Sequence, residues 1–243
     1  MNPILLSKRL KLVADYIPDN IQSFADIGSD HAYLPCYVCL NNSSIQAIAG
    51  EVNRGPWLSA KQQVDQYHLS ERIDVRLGNG LEVIKQHEVD CIAIAGMGGT
   101  LITDILTNDV SKLKGVQRLI LQPNIDAQSI REFAEDFSFQ ICHENILDDD
   151  GYIYEILVLE PVDTNVSYTD KEKYLGPLII NDKNDAFYTK WKQVLQKKQR
   201  IIDQMAQAKQ VDQNKIQLFK QQVQWIKEEI DNDNDSKGYR DLS

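Results

Sequence analysis

Four short stretches place residues able to hold a small polar ligand at the ends of apolar runs. In ADIGSDHAYLP, residues 25–35, a single glycine, Gly28, lies between Asp26 and Asp30. Gly28 permits a sharp turn and close approach of backbone to a ligand. A dinucleotide fingerprint would carry further glycines where Asp30 and Ala32 stand. Their absence points away from a pyrophosphate, and the two acids suit a smaller, cationic cofactor. A core turn with two surface acids explains the same loop. Glu51 ends the next apolar run, where a carboxylate can accept both hydrogen bonds of a ribose diol. RLGNGLEVI sets Asn79 between Gly78 and Gly80, able to approach and hydrogen-bond an adenine edge. In the run AGMGG, residues 95–99, missing side chains would let a cofactor lie across the sheet edge.

The elements that must position these residues follow from hydrophobic patterning. SFADIG, SIQAIAGEV, RIDVRLG, VDCIAIAG and VQRLILQ are predicted strands rich in Ile, Val and Leu, separated by segments of helical length such as 56–67. Strands alternating with helices imply βαβ units and a parallel sheet covered on both faces. The pattern then changes. FSFQICHENIL and GYIYEILVLEP face each other across Asp148-Asp149-Asp150-Gly151, a hairpin signal, so the sheet is expected to finish antiparallel. Five parallel strands followed by a hairpin is the strand inventory of a Rossmann-like class I methyltransferase sheet, whereas a dinucleotide dehydrogenase more often continues with a sixth βα unit.

Residues 161–168 are polar and turn-rich, which divides the chain into 1–161 and 162–243. Beyond them, Phe187, Trp191, Val194, Ile201, Met205 and Ala208, then Ile216, Phe219, Val223, Ile226 and Ile230, recur largely at helical steps, predicting two amphipathic helices folded as an α-helical hairpin. Trp191 and Trp225 read as packing residues. The tail from Asp231 is charged and expected to fray.

Taken together, DIGSDHAYLP, AGEVNRGP, LGNGLEVI, IAGMGG and LILQPN resemble the bacterial tRNA (adenine-22-N1)-methyltransferase family. The resemblance spans the chain, because that family also appends a helical, coiled-coil-like domain to a class I methyltransferase domain. It implies S-adenosylmethionine as cofactor and N1 of an adenine in the tRNA D-loop as methyl acceptor. Carried over by residue, it assigns Asp26, Gly28, Ser29 and Asp30 to the methionine side of the cofactor and Glu51 to its ribose. Asn79 with Gly78 and Gly80 goes to its adenine, and Gly96, Met97 and Gly98 to the floor near the sulfonium. His31 and Tyr33 either line the site or pack against the first helix. Gln122-Pro123-Asn124 ends the fifth strand and departs from the Asn-Pro-Pro-Tyr motif of adenine-N6 methyltransferases, which lies at the end of the fourth. No aromatic residue follows this proline to stack the base. The catalytic candidates are therefore Asp30, for the charge on the methylated base, and Gln122 or Asn124, for the adenine edge. Because N1 carries an in-plane lone pair, alignment and desolvation can supply most of the catalysis, provided the nucleotide is unpaired or flipped.

The formal charge of -10 argues at first against a nucleic-acid partner. Its distribution softens that, since residues 1–160 carry -11 and residues 161–243 carry +1. Between 187 and 220, eight basic residues, including Lys190, Lys197, Lys198, Arg200 and Lys209, face only Asp203 and Asp212. Lys190, Lys197, Lys198 and Arg200 are the candidates for contact with tRNA; a solvated helix face accounts for the same charges. Cys36, Cys39, Cys91 and Cys142 lack the spacing of a disulfide framework or zinc site, so no metal is expected. A soluble, cytoplasmic protein is expected, with no membrane or DNA partner and with a monomer compatible with the sequence. A methyltransferase for another nucleic-acid or protein substrate, and a non-catalytic tRNA-binding module, are the rival readings.

Overall fold

The computed structural model describes residues 4–207 and 212–237, with side chains in the last helix described as far as Asp231. Seven strands form one sheet: β1 (Ser23–Ile27), β2 (Gln46–Glu51), β3 (Ile73–Leu77), β4 (Cys91–Gly98), β5 (Arg118–Ile125), β6 (Phe139–Asp149) and β7 (Tyr152–Pro161). Their order is β3-β2-β1-β4-β5-β7-β6. The first five run parallel, and β7 enters antiparallel between β5 and β6. The expected class I methyltransferase sheet is thus present. Chain order reverses between β1 and β4, which opens a crevice at their carboxyl ends.

Both sheet faces are covered, so successive residues of a central strand are apolar on both sides. On β4, Cys91 and Ala93 pack with Phe24, Val13, Leu34, Ala60 and Val64 beneath α1 (Lys8–Asp15), α2 (Tyr33–Asn41) and α3 (Arg54–Gln66). The alternate residues Ile92 and Ile94 pack with Ile102, Leu106, Ile130 and Phe133 beneath α4 (Gly99–Asn108) and α5 (Ala127–Asp136). The helices α4 and α5 start so close together that a Cβ on Gly99 would lie 1.8 Å from the Asp126 carbonyl oxygen, which only glycine avoids. The hairpin turns at Asp150 and Gly151, with φ of 53° and 82°, the left-handed pair of a type I′ turn. Cys36, Cys39 and Cys91 are buried packing residues on α2 and β4, while Cys142 on β6 is half-buried.

The first helix is pinned across the hairpin. Asp149 accepts a hydrogen bond from the Arg9 backbone N–H at 3.0 Å. An anion there satisfies an orphan donor of the first turn and complements the helix dipole. Hydrogen bonding to the Arg9 backbone accordingly holds the Asp149 carboxyl below its usual range.

After Pro161 the chain runs beside the edge strand β6, where the Tyr168 hydroxyl accepts from the Ile141 backbone N–H at 3.0 Å. It continues as α6 (Asp170–Leu175), α7 (Asp185–Ala206) and α8 (Gln213–Lys237). The two long helices form the expected hairpin, and its apolar stripe does not close on itself alone. Phe187, Trp191, Ile226 and Ile230 pack with Leu175, Ile179 and Ile146 of β6, so the helices share a core with the sheet edge. Trp191 is buried in that core, as its spacing predicts. Helix α8 runs past Asp231 to Lys237. Ala208, Lys209 and residues 238–243 lie outside the described residues. Among the described residues, no helix is long and apolar enough to cross a membrane.

Candidate active site

The strand-end residues singled out in the sequence converge on the crevice in two groups. The first belongs to the ends of β1, β2 and β3. Gly28 adopts φ +75°, and a Cβ there would sit 2.2 Å from the Met97 methyl carbon. The loop folds back so that Gly28 and Ser29 both donate backbone hydrogen bonds to the Gly50 carbonyl, at 2.9 and 3.1 Å. Asp30, His31 and Ala32 follow in left-handed conformations, with φ of 39°, 66° and 56°. Three consecutive non-glycine residues in this region are costly, about 1–2 kcal/mol each, and such strain concentrates at functional loops.

The carboxylates of this group are unevenly satisfied. Asp26 is buried and accepts from the Ser29 hydroxyl at 2.6 Å. Burial pushes its carboxyl up to about 7; the Ser29 hydrogen bond opposes the shift, and the charges of Glu51 and Asp30 add to it. Glu51 is also buried, its carboxyl raised by desolvation and restrained by a hydrogen bond from the Asp30 backbone. Its Oε1 has no partner among the described residues. A buried acceptor left unsatisfied costs about 1–3 kcal/mol, so this oxygen is poised for a donor brought by a ligand. The Gly78 backbone N–H donates to the Glu51 carbonyl at 2.9 Å, which carries Asn79 and Gly80 to the same rim. Asn79 is exposed there, with its backbone N–H bonded to the Glu82 carboxylate at 3.0 Å.

The second group, at the ends of β4 and β5, is closed on itself. Two register shifts around Met97 bulge β4 away from β5, and Gly96 takes φ +80°. The freed Gly96 N–H donates to Gln122 Oε1 at 3.0 Å, and the Gly96 carbonyl accepts from Asn124 Nδ2 at 2.7 Å. Gln122 Nε2 in turn donates to Asn124 Oδ1 at 3.3 Å. The two amides therefore fix the peptide on which Met97 and Gly98 stand. Gln122 is fully buried, which corrects the expectation that it offers itself to an adenine edge: its side chain holds Gly96. Asn124 is exposed. Asp30, with an exposed carboxylate 3.6 Å from His31 Nε2, belongs to the β1 loop. Two strand spacings, roughly 10 Å, separate that loop from β5, so the three catalytic candidates do not form one cluster.

A residue absent from the sequence reading completes this second group. Arg9, on α1, donates from Nη1 to Gln122 Oε1 and lies over the Tyr154 ring at 5.1 Å from its centroid. Nothing near it in sequence marks it; only the docking of α1 on Asp149 brings it to the end of β5. Tyr33 is 41% exposed beside His31, with ring centroids 5.8 Å apart, so these two sit at the loop surface rather than in the core beneath α2.

Of the four basic candidates on the helical hairpin, two are free to meet a polyanion. Lys197 and Arg200 are exposed. Lys190 instead pairs with Glu155, which also pairs with the buried Arg131. Lys198 donates to Gln222 at 2.6 Å and lies 4.1 Å from the Phe219 ring centroid, inside the hairpin. Burial lowers the Lys198 pKa, as does the neighbouring charge of Lys197. The expectation that Lys190 and Lys198 contact RNA is corrected accordingly: their ammonium groups hold α7 to β7 and α7 to α8. A cavity of about 380 Å³ lies between Asn124, Tyr152, Glu155, Lys190 and Gln193, joining the end of β5 to the hairpin of helices.

Comparison with known proteins accords with this arrangement. Residues 24–228 match the family model for tRNA (adenine(22)-N(1))-methyltransferase. The curated tRNA (adenine(22)-N(1))-methyltransferase of Bacillus subtilis is 48% identical over 237 residues, covering 95% of this chain and 99% of that protein. The crystal structure of the B. subtilis M1A22 tRNA methyltransferase TrmK is similar at 46% identity and a TM-score of 0.87, covering 93% of this chain and 99% of that one. A Streptococcus pneumoniae protein described as a putative tRNA (m1A22) methyltransferase, solved in complex with S-adenosyl-L-methionine, is similar at 37% identity and a TM-score of 0.82, with 93% and 100% covered. The match runs through both the sheet and the helical hairpin, and the chain belongs to the tRNA (adenine(22)-N(1))-methyltransferase family.

Proposed function

We infer that this protein transfers the methyl group of S-adenosylmethionine to N1 of adenine 22 in the D-loop of tRNA. The observation that carries the cofactor reading is the buried Oε1 of Glu51 at the end of β2, without a partner among the described residues, beside a loop in which Gly28 takes a left-handed φ against the Met97 methyl. A ribose diol supplies the donors this carboxylate lacks. Asp26, Gly28, Ser29 and Asp30 would hold the methionine end, where an ammonium group favours the ionised form of Asp26. Gly78, Asn79 and Gly80 would hold the adenine, with Gly96, Met97 and Gly98 beneath the sulfonium. When bound, S-adenosylmethionine supplies an electrophilic methyl carbon.

The remaining chemistry asks little of acids or bases. Adenine N1 attacks through its own lone pair, so the protein's part is to set the distance and exclude water. Gln122 and Asn124 contribute by immobilising the Gly96 peptide. Asp30 stands with Asp26 and Glu51 and acts on the cationic cofactor before it acts on the methylated base. Lys197 and Arg200 are assigned to tRNA phosphates, because RNA of this kind is read largely by shape and backbone contact. In this reading the chain divides its labour near residue 161, with 1–161 holding the cofactor and 162–243 presenting the tRNA body. The setting is that of tRNA maturation, the cytoplasm.

The test is to incubate the purified protein with S-adenosylmethionine and unmodified tRNA carrying adenine 22, then map the product by nuclease digestion and mass spectrometry. The expected result is one methyl group on N1 of that adenine. Methylation elsewhere, or cofactor binding without transfer to tRNA, would overturn the assignment.

A further inference from the structure

We propose that Asn124 recognises the target adenine through its N6 and N7 edge, with Tyr154 and Arg9 forming the surface on which the base stacks. This rests on the methyltransferase reading above and adds to it the subsite of the acceptor base. The cofactor-binding candidates spread from the β4 bulge toward β1, β2 and β3, so the acceptor must approach from the other side of the bulge, where β5 ends and the antiparallel β7 begins. There Asn124 is exposed, and Tyr154 and Arg9 are half-buried.

The hydrogen-bond inventory of Asn124 selects the edge. A primary amide has two N–H donors and two acceptor lone pairs. In Asn124 one N–H is spent on the Gly96 carbonyl and one lone pair on the Gln122 amide. One donor and one acceptor remain, held in a fixed orientation by those same bonds. Adenine presents a matching pair at N7, an acceptor, and N6, a donor, the contact by which asparagine commonly reads adenine. Engagement of that edge leaves N1 unencumbered, as methylation requires. Guanine presents two acceptors at the same positions, so its O6 would oppose the Asn124 carbonyl oxygen. The stacking group that the sequence lacks after Pro123 is supplied from β7. The Arg9 guanidinium packs 5.1 Å from the Tyr154 ring centroid and is anchored to Gln122, and both aromatic rings and guanidinium planes serve as surfaces for unstacked bases.

The experiment uses the full-length protein and tRNA assembled with a single modified residue at the target position. 7-Deazaadenosine removes N7 and purine riboside removes the N6 amino group, and both keep N1. For the unsubstituted protein, each analogue is expected to lower kcat/KM by about 5- to 100-fold. Asn124→Ala should methylate adenosine tRNA more slowly and show no further loss with 7-deazaadenosine, because the two changes remove one interaction. Tyr154→Leu should raise KM for tRNA about tenfold or more and leave S-adenosylmethionine affinity unchanged, with activity recovered in Tyr154→Phe. Undiminished methylation of the 7-deazaadenosine tRNA by the unsubstituted protein would overturn the assignment of Asn124. Unchanged tRNA kinetics in Tyr154→Leu would overturn the stacking surface. No transfer even to the adenosine tRNA would instead overturn the functional reading on which both rest.

Discussion

The two halves of the crevice treat their polar groups in opposite ways. At the ends of β1 and β2, buried carboxylates are left short of partners: Glu51 Oε1 has none among the described residues, and burial raises both Asp26 and Glu51. At the ends of β4 and β5, Gln122, Arg9 and the Gly96 peptide bond one another, and the exposed Asn124 joins them with one donor and one acceptor to spare. Unsatisfied buried groups are tolerated where a ligand will complete them, and satisfied ones build the rigid surface against which that ligand is aligned. The first half should therefore govern cofactor affinity and the second should govern turnover.

Substitutions can break that division. The largest effect is expected from Gln122→Leu, which frees the Gly96 peptide and leaves the Arg9 guanidinium without its acceptor. Displacing the methyl-transfer floor by even about 1 Å should lower kcat roughly 100-fold, read by single-turnover methylation at saturating cofactor. Gly28→Ala comes next. A left-handed φ costs alanine about 1–2 kcal/mol, and its Cβ would displace the Met97 methyl, so cofactor titration should show affinity about tenfold weaker or worse. On the helical hairpin, Lys197→Gln with Arg200→Gln should reduce the salt dependence of tRNA binding by about two phosphate contacts. Lys198→Met should alter the melting temperature and leave that salt slope unchanged. An unchanged slope in the double variant would return Lys197 and Arg200 to an ordinary solvated face.

The smallest effect concerns Asp26 and pH. Its folded value of about 7 lies above the ordinary 3.8, so the folded state holds this proton more tightly than the unfolded one. The stability of the ligand-free protein should consequently fall as pH rises from about 4 to about 7. Asp26→Asn should remove part of that decline, raising the melting temperature at pH 8 by about 2–4 °C per kcal/mol relieved while weakening cofactor binding. A variant that melts lower than the parent at pH 8 would show that the carboxylate is not penalised by its burial.

The difference between the halves also explains what the sequence could disclose. The strand inventory, the Asp-Gly hairpin and the glycine-flanked turns at the strand ends were legible because local patterning and turn chemistry specify them. The places of Glu51 and Asn79 at the crevice were legible because Glu51 ends β2 and Asn79 follows the end of β3, strands whose neighbours in the sheet follow from topology. Arg9 was not, since its role depends on α1 docking against Asp149, a contact between residues far apart in the chain. Gln122 was assigned to the wrong neighbour for a related reason: the β4 bulge that turns the Gly96 N–H toward it has no signature beyond AGMGG. Lys190 and Lys198 carry the same charge as Lys197 and Arg200, and only the packing of α7 against β7 and α8 separates the structural pair from the exposed pair.

The most direct test of this division is a calorimetric titration of S-adenosylmethionine into the unsubstituted protein, Glu51→Gln and Gln122→Leu. Loss of the charge-assisted bonds to the ribose should weaken Glu51→Gln about 10- to 100-fold, while Gln122→Leu should bind within about threefold of the parent, a difference below 1 kcal/mol. Equal weakening in both variants, or unchanged affinity in Glu51→Gln, would contradict the assignment of cofactor binding to the unsatisfied half of the crevice.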